Sequence, residues 1–386
     1  MKKLLILILI IGLGVGGYFY LNQDNTPKKE VNKETKKVIA LKDEDVKNSI
    51  FNKYYEEAIK VVDEMSTEEK VGQLFLVRYA YEDTEYLSNF NPGGYILFAK
   101  DFEDHTKESM RKELNKVNEK NKYPLILGVE EEGGFVTRVS RFKEFRSEKF
   151  KAPKDYYEEG GEILLKQTEE EKAKLLMNIG LNLNLAPVAD VSTNENDFIY
   201  NRTFGRNAKE TSELIKKMVK VANEINLNSC LKHFPGYGNN VDTHTGVAID
   251  ERSYESFKEK DFLPFEAGIK EGVPCVLIAH NVVKSMDSEY PASLSKKVID
   301  ELRNTLGFTG IVVTDDLAME AVKAYVEDGK AATLAINAGN DMIITSDFVT
   351  MYKEVLKSVE DKDISIETIN KAVIRIIAWK YSSGII

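Results

Sequence analysis

The chain has 386 residues, and 53 Lys and Arg against 63 Asp and Glu give it a formal net charge of −10. That acidic balance argues against a surface built to neutralise a nucleic-acid backbone, and 42% hydrophobic with 30% charged residues excludes a disordered, collagen-like or multi-span membrane chain. Cys230 and Cys275 cannot make a disulfide framework or a CxxC zinc knuckle, and they read as buried small hydrophobes.

Residues 1–21 place Lys2 and Lys3 ahead of an uncharged apolar run, LLILILIIGLGVGGYFYL. As a helix this run spans about 27 Å, just under the roughly 30 Å hydrocarbon core of a bilayer. No AxA-like site and no cysteine follow it, so it reads as an uncleaved signal anchor, with a cleaved signal peptide as the alternative. Lys28, Lys29, Lys33, Lys36 and Lys37 oppose an outward orientation by the positive-inside rule, whereas a basic start running directly into an apolar stretch is how export signals begin. An extracytoplasmic body, membrane-anchored or secreted within the cell envelope, is the expectation. Residues 22–45, rich in Lys, Glu, Asn and Asp, read as a flexible charged tether, and residues 46–386 as the folded body.

In that body, short β-branched or aromatic runs alternate with longer stretches of helical period. Strands are predicted at 73–78, 94–99, 124–129, 181–185, 229–231, 274–279, 310–314 and 341–344. Helices are predicted at 108–119, 162–177, 212–225, 253–271, 295–306 and 319–338, with two more after the last strand. The runs YILFA, PLILGV, VLIAH, GIVVT and MIIT are apolar without alternation, as suits parallel strands covered on both faces. The series predicts an α/β fold, one (β/α)8 TIM-type barrel; an open doubly wound sheet is disfavoured because no GxGxxG follows the first strand.

In such a barrel the C-terminal strand ends share one mouth, so residues far apart in sequence can be read together. Arg78, Lys100 and Asp101, Glu130 to Glu132, Asp190, Lys232 and His233, His280 and Asn281, Asp315 and Asp316, and Ser346 and Asp347 fall at or just after the predicted strand ends. Charges are costly there unless paired, and their concentration points to a polar ligand with many hydroxyls, such as a sugar. Asp316 and Asp347 read better as caps of the helices that follow. The loop PGYGNNVDTHTG, residues 235–246, holds Asp242 two residues before His244. The carboxylate can orient the imidazole and raise its basicity for proton transfer, although an Asx-turn with an exposed histidine fits this loop equally well.

The block KHFPGYGNNVDTH, residues 232–244, resembles the KH(F/S)PGxG…D(S/T)H block of family 3 glycoside hydrolases, specifically the single-barrel β-N-acetylglucosaminidases. GVEEEGGFVTRV (128–139) is similar to that family's DQEGGxVxR stretch, NLAPVADV (184–191) to its NxAPVxDV strand and NRTFG (201–205) to its RSFG. VLIAHNVV, YPASLS, GFTGIVVTDDLAMEA and AINAGNDMII follow in family order, so the resemblance covers about residues 60–345.

The resemblance implies a retaining mechanism with a covalent glycosyl-enzyme on Asp315 and with His244 as acid/base, oriented by Asp242. Glu130, Arg138, Arg202, Lys232 and His233 match positions that hold sugar hydroxyls, and His280 matches a supporting histidine near the nucleophile. No metal or cofactor is implied. The expected substrate is a terminal β-linked N-acetylglucosamine or N-acetylhexosamine on a wall-derived glycan or muropeptide, and the expected state is a monomer. Many relatives append a second αβα domain that supplies the acid/base; here no residues remain for one, and the proton is expected from the barrel's own loop.

Glu130 stands where the family usually has Asp, Tyr237 where it has His and Phe135 where it often has Arg, which leaves the identity of the sugar open. A β-glucosidase or another β-glycosidase of the family is therefore an alternative. So is a glycoside phosphorylase, because a neutral imidazole repels phosphate less than a carboxylate does. A metal-dependent amidohydrolase is disfavoured because the chain has no HxH, and a non-catalytic wall-glycan binder because Asp315, Asp242 and His244 are all present.

Overall fold

The computed structural model describes residues 47–240, 248–326 and 330–386. The segment 1–21 read as an anchor or signal and the tether 22–45 lie outside the described residues. Among the described residues no helix is long and apolar enough to cross a membrane.

The strands, in chain order, are β1 (Phe75–Arg78), β2 (Gly94–Leu97), β3 (Ile126–Val129), β4 (Leu183–Asn184), β5 (Asn228–Phe234), β6 (Ile249–Asp250), β7 (Cys275–Ile278), β8 (Val282–Val283), β9 (Ile311–Thr314) and β10 (Ile343–Thr345). Eight of them form one sheet in the order β10-β1-β2-β3-β4-β5-β7-β9, and every pairing in it is parallel. A parallel bridge from Val313 to Met342, reinforced by Thr314 N donating to Met342 O at 3.1 Å, joins β9 to the start of β10 and closes the ring. β6 and β8 stand apart as a short parallel pair. This is the (β/α)8 barrel that the series of eight predicted strands alternating with helices implies.

The apolar runs work because both faces of each strand are buried. On β7, Val276 and Ile278 pack in one cluster with Leu214, Ile215 and Met218 of the helix Ala208–Ile225, while Cys275 and Leu277 belong to the larger cluster with Ile311 and Val313. Alternate residues thus face the helices and the barrel interior. Cys230 and Cys275, paired in register across β5 and β7, are both buried, as expected of small hydrophobes.

Three departures from the sequence reading have local causes. The predicted helix 162–177 runs from Pro153 to Asn178 and breaks at Gly160 and Gly161; Gly161 has φ 61° and ψ −154°, a conformation open to glycine alone. The predicted helix 319–338 is two helices, Glu320–Lys323 and Ala331–Ala338. β5 continues to Phe234 rather than ending near Leu231, with a register shift between those two residues, so Lys232 and His233 lie inside a buried strand.

Candidate active site

The continuation of β5 through Lys232 and His233 explains the centre of the barrel mouth. Lys232 is completely buried, and its Nζ donates to Glu130 Oε1 at 2.9 Å and lies 2.6 Å from Glu132 Oε1. Glu130 Oε2 accepts from Arg138 Nη2 at 2.7 Å, and Glu132 is gripped from Arg202 by Nε at 3.0 Å and Nη2 at 2.7 Å. Two carboxylates from the end of β3 and three cations from separate stretches of chain therefore share one buried network. Burial alone would raise the Glu130 and Glu132 carboxyls, but Lys232 and Arg138 hold Glu130 far below the usual range, and Lys232 and Arg202 hold Glu132 down to about 2. Against the cost of burial, the same carboxylates raise Lys232 above its ordinary value. Glu130, Glu132, Arg202 and Lys232 are therefore charged throughout the neutral range. Side-chain exposure of 21–22% for Glu130 and Arg138 leaves this pair facing the mouth, where a hydroxyl can meet an acceptor and a donor together. Arg138 Nε is buried without a partner among the described residues and supplies a further donor.

Glu131, between these two acids, does different work. It is fully buried and accepts from the backbone N–H groups of Arg138 and Val139, both at 2.7 Å, and from the Ser140 hydroxyl. It folds the Glu132–Val139 stretch back so that Arg138 reaches Glu130. Phe98, after β2, lies beneath two guanidinium groups, with its ring centroid 4.3 Å from Arg78 and 5.4 Å from Arg138. Arg78 in turn pairs with Asp101 at 2.6 Å. The motif that places Arg138 could not reveal this aromatic floor, because Phe98 and the arginines are not near one another in sequence.

His233 joins the network by a defined tautomer. Arg202 Nη2 can only donate, so His233 Nε2, 3.2 Å away, is the acceptor; Nδ1 then carries the proton and donates to Asp190 Oδ2 at 2.7 Å. Asp190 also accepts His233 N at 3.2 Å and, through Oδ1, Tyr237 N at 2.7 Å. The Tyr237 ring meets His233 edge to face at 5.6 Å and Phe198 at 5.7 Å. Asp190 was visible in sequence as a strand-end acid, but its role as the anchor of His233 and of the following loop was not. Phe135, another departure from the family pattern, is 77% exposed at the tip of its loop.

Asp315 follows β9 directly. Its backbone N–H donates to Ile278 O at 3.0 Å, and its Oδ1 accepts from Asp316 N at 2.8 Å, leaving Oδ2 without a donor among the described residues. His280, buried after β7, has Nε2 3.0 Å from Asp316 O and Nδ1 2.7 Å from Ser293 Oγ. The expected capping roles of Asp316 and Asp347 are corrected. Asp316 Oδ1 accepts from Ala318 N at 2.9 Å and Ser346 N at 3.2 Å, tying the ends of β9 and β10 together, while the short helix Glu320–Lys323 begins after Met319. Asp347 occupies the cap position of Phe348–Glu360, but its side chain makes no capping bond.

The structure thus joins Glu130, Arg138, Arg202, Lys232 and His233 in one network and places Asp315 and His280 on neighbouring strands at the same end of the barrel. Asp242 and His244 lie outside the described residues. The ends of their segment are described: Asn240 Nδ2 donates to Asp250 Oδ2 at 2.7 Å, and Val282 N to Ala248 O at 2.8 Å. A cavity of about 310 Å³ between the helices Pro153–Asn178 and Ala208–Ile225, lined by Ile163, Leu165, Met218 and Val221, contains none of the strand-end groups. Among the described residues no three His, Cys, Asp or Glu side chains converge to hold a metal ion.

This arrangement can be set beside known proteins. The model of the glycosyl hydrolase family 3 N-terminal domain matches residues 66–379. A β-hexosaminidase of Nitrosomonas eutropha is 29% identical over 293 residues, which cover 74% of this chain and 82% of that protein. One of Hydrogenovibrio crunogenus is 30% identical over 277 residues, 69% of this chain and 75% of the relative. The structure of a glycoside hydrolase family 3 β-N-acetylglucosaminidase from Paenibacillus sp. str. FPU-7 is similar with a TM-score of 0.77 at 26% identity, over 83% of this chain; the chain spans 63% of that structure. By the extent of the family match and by its relatives, the chain belongs to glycosyl hydrolase family 3.

Proposed function

We propose that the protein is an exo-acting retaining glycosidase that removes terminal β-linked N-acetylglucosamine, or a related N-acetylhexosamine, from glycans or muropeptides derived from the cell wall. The observation that carries this reading is the buried Glu130–Lys232–Glu132–Arg202 network with Arg138 at its open side, on the barrel end that also presents Asp315. Fixed, permanently charged donors and acceptors suit the hydroxyls of one terminal sugar, and the β-hexosaminidase names of the relatives favour an aminosugar.

In this reading Asp315 Oδ2 attacks the anomeric carbon. Asp316 N–H, bound to Oδ1, orients the carboxylate. The bond to the leaving oxygen breaks as His244 gives it a proton, forming the glycosyl-enzyme ester. His244 then takes a proton from water, whose oxygen attacks the same carbon and releases Asp315, so each turnover consumes one water and inverts the centre twice. Asp242 orients the imidazole for both transfers. An extracytoplasmic location, through the N-terminal segment, is part of the proposal.

The test is a panel of chromogenic β-glycosides with the full chain, followed by mass spectrometry after trapping with a fluorinated aminosugar fluoride. β-N-acetylglucosaminide should be cleaved best, with the label on Asp315, and Asp315→Ala should abolish turnover. A label on another carboxylate, or faster cleavage of the β-glucoside, overturns the assignment. Cell fractionation that finds the protein in the cytoplasm overturns the location.

A further inference from the structure

Arg252 lies just past β6, in the polar stretch DERSY (residues 250–254), where a charged side chain would ordinarily face solvent. Its guanidinium nevertheless has every donor engaged. Nε reaches Asp250 Oδ1 and Oδ2, both at 3.0 Å; Nη1 reaches Asp261 Oδ1 at 2.9 Å and Oδ2 at 2.8 Å. Nη2 donates to Asp250 Oδ2 at 2.7 Å and to Gly236 O at 3.0 Å. The plane also covers the Phe257 ring at 4.2 Å. Asp250 and Asp261 are both buried, so the arginine is the counter-charge to two acids.

The contacts run across one segment of chain. Gly236, Gly238 and Asn240 precede residues 241–247; Asp250 and Arg252 follow them. Asp250 Oδ2 takes Asn240 Nδ2 at 2.7 Å while it binds Arg252, and Arg252 holds Gly236 O. The entering chain is shaped to the arginine. Gly236 has φ 125°, and a Cβ there would stand 2.5 Å from Asp261 Oδ1; Gly238 has φ 58°, and a Cβ there would stand 2.4 Å from the guanidinium carbon. These two glycines let the backbone pass against the ion cluster where a side chain would push it away. On the far side, β6 is fixed by pairing with β8, directly after His280 and Asn281.

We infer that Arg252 is a positioning residue for proton transfer: by clamping Gly236 and Asn240 against Asp250 and Asp261, it sets the separation and direction of the two chain ends between which Asp242 and His244 are carried. This rests on the proposed roles of Asp242 and His244. Lysine cannot replace it, because a single ammonium cannot span two carboxylates and a carbonyl in one plane.

The experiment compares kcat/KM of the full chain, of Arg252→Lys and of the milder Asn240→Ala on two aryl β-N-acetylglucosaminides. One carries 2,4-dinitrophenol, which leaves without a proton; the other carries 4-methylphenol, which needs one. General acid catalysis contributes roughly 100- to 10,000-fold, so partial misplacement should cost Arg252→Lys about 30-fold or more on the 4-methylphenyl glycoside and about 3-fold or less on the dinitrophenyl one. Asn240→Ala should show the same selectivity at smaller size, and because it removes only the two bonds from Nδ2 to Tyr237 O and Asp250 Oδ2 and no buried charge, it keeps the test open if Arg252→Lys does not fold. Equal losses on both substrates, or none, overturn the inference and leave Arg252 as a purely structural ion pair. Failure of the parent reading is separate: the native chain would then cleave neither glycoside, or His244→Ala would itself lose equally on both.

Discussion

His280 Nε2 donates to the carbonyl oxygen of Asp316 at 3.0 Å. The carbonyl can only accept, so Nε2 carries a proton, while Nδ1 lies 2.7 Å from Ser293 Oγ, a hydroxyl that can donate to it or accept from it. The contact secures the peptide after Asp315, whose carboxylate leans on the N–H of Asp316. His280 thus bears on Asp315, the proposed nucleophile, through the backbone.

Replacing His280 by Ala should therefore lower kcat/KM by about 10- to 100-fold, the scale of a small misplacement of a reacting group. Ser293→Ala, which removes only the hydroxyl contact to Nδ1, should cost less. The label from a trapped intermediate should remain on Asp315 in both variants. Steady-state kinetics with the same aryl glycosides provides the check, and unchanged activity in His280→Ala would remove the residue from the mechanism.

Lys232 gives a prediction about stability and its dependence on pH. Lys232→Met leaves Glu130 and Glu132 buried with less counter-charge, and breaking such a pair costs about 3–5 kcal/mol. The sign with pH follows from the depressed carboxyls. In the native chain they contribute stability above the ordinary carboxyl value near 4.5, and for Glu132 that contribution is lost as pH falls toward about 2. In the variant both carboxyls move up and can protonate in mild acid. The deficit of Lys232→Met should be largest at pH 7 and shrink at pH 4, read from urea unfolding midpoints at the two values.

Asp190 holds the proton of His233 on Nδ1, so that Nε2 faces Arg202 as an acceptor. Asparagine can present its NH₂ group instead, which favours the opposite tautomer and sets an N–H against the arginine. Asp190→Asn should weaken sugar binding, raising KM by about 10-fold, the discrimination from losing roughly 1–2 kcal/mol of a charge-assisted bond. Two-dimensional NMR of the histidine side chains would show the tautomer change directly; an unaltered Nδ1–H signal in the variant would contradict the assignment.

What sequence could reveal about this molecule follows the range of the interactions. The barrel was legible because strands buried on both faces need uninterrupted apolar runs, and such runs leave a local pattern. The polar strand ends were legible for the same reason, since charges interrupt the pattern. Their partners were not: Lys232 meets Glu130 across 102 positions of chain, and nothing near Lys232 announces that it lies within a strand. Aspartates before helices suggest caps, but Asp316 spends its carboxylate on Ser346 N, 30 positions away. Arg252 shows the same limit, because its pattern is that of a surface charge and only folding brings Asp261 and Gly236 around it. The short β6–β8 pair has two residues a side, too few for any periodicity.

Lys380 allows the sharpest test away from the mouth. It lies on the helix Ile366–Ser382, fully buried, with Nζ donating to Gln73 Oε1 at 2.7 Å and no carboxylate pairing with it among the described residues. Burial pushes the ammonium down to about 7. An unfolded lysine titrates near 10.4, so between about pH 7 and pH 10.4 the unfolded chain binds a proton that the folded chain has released, and stability from this group rises with pH. Below that window both forms carry the proton and the full cost of burying a charge is present. Lys380→Met should accordingly stabilise the protein. The shift sets a ceiling of about 4–5 kcal/mol at pH 7. Leaving Gln73 Oε1 without its donor returns about 1–3 kcal/mol, so the expected gain is roughly 1–3 kcal/mol. Urea unfolding at pH 7 and pH 9.5 should show this advantage narrowing at the higher value. A variant less stable than the native chain at pH 7, or an advantage that widens with pH, would mean that Lys380 is stabilised in its charged form after all.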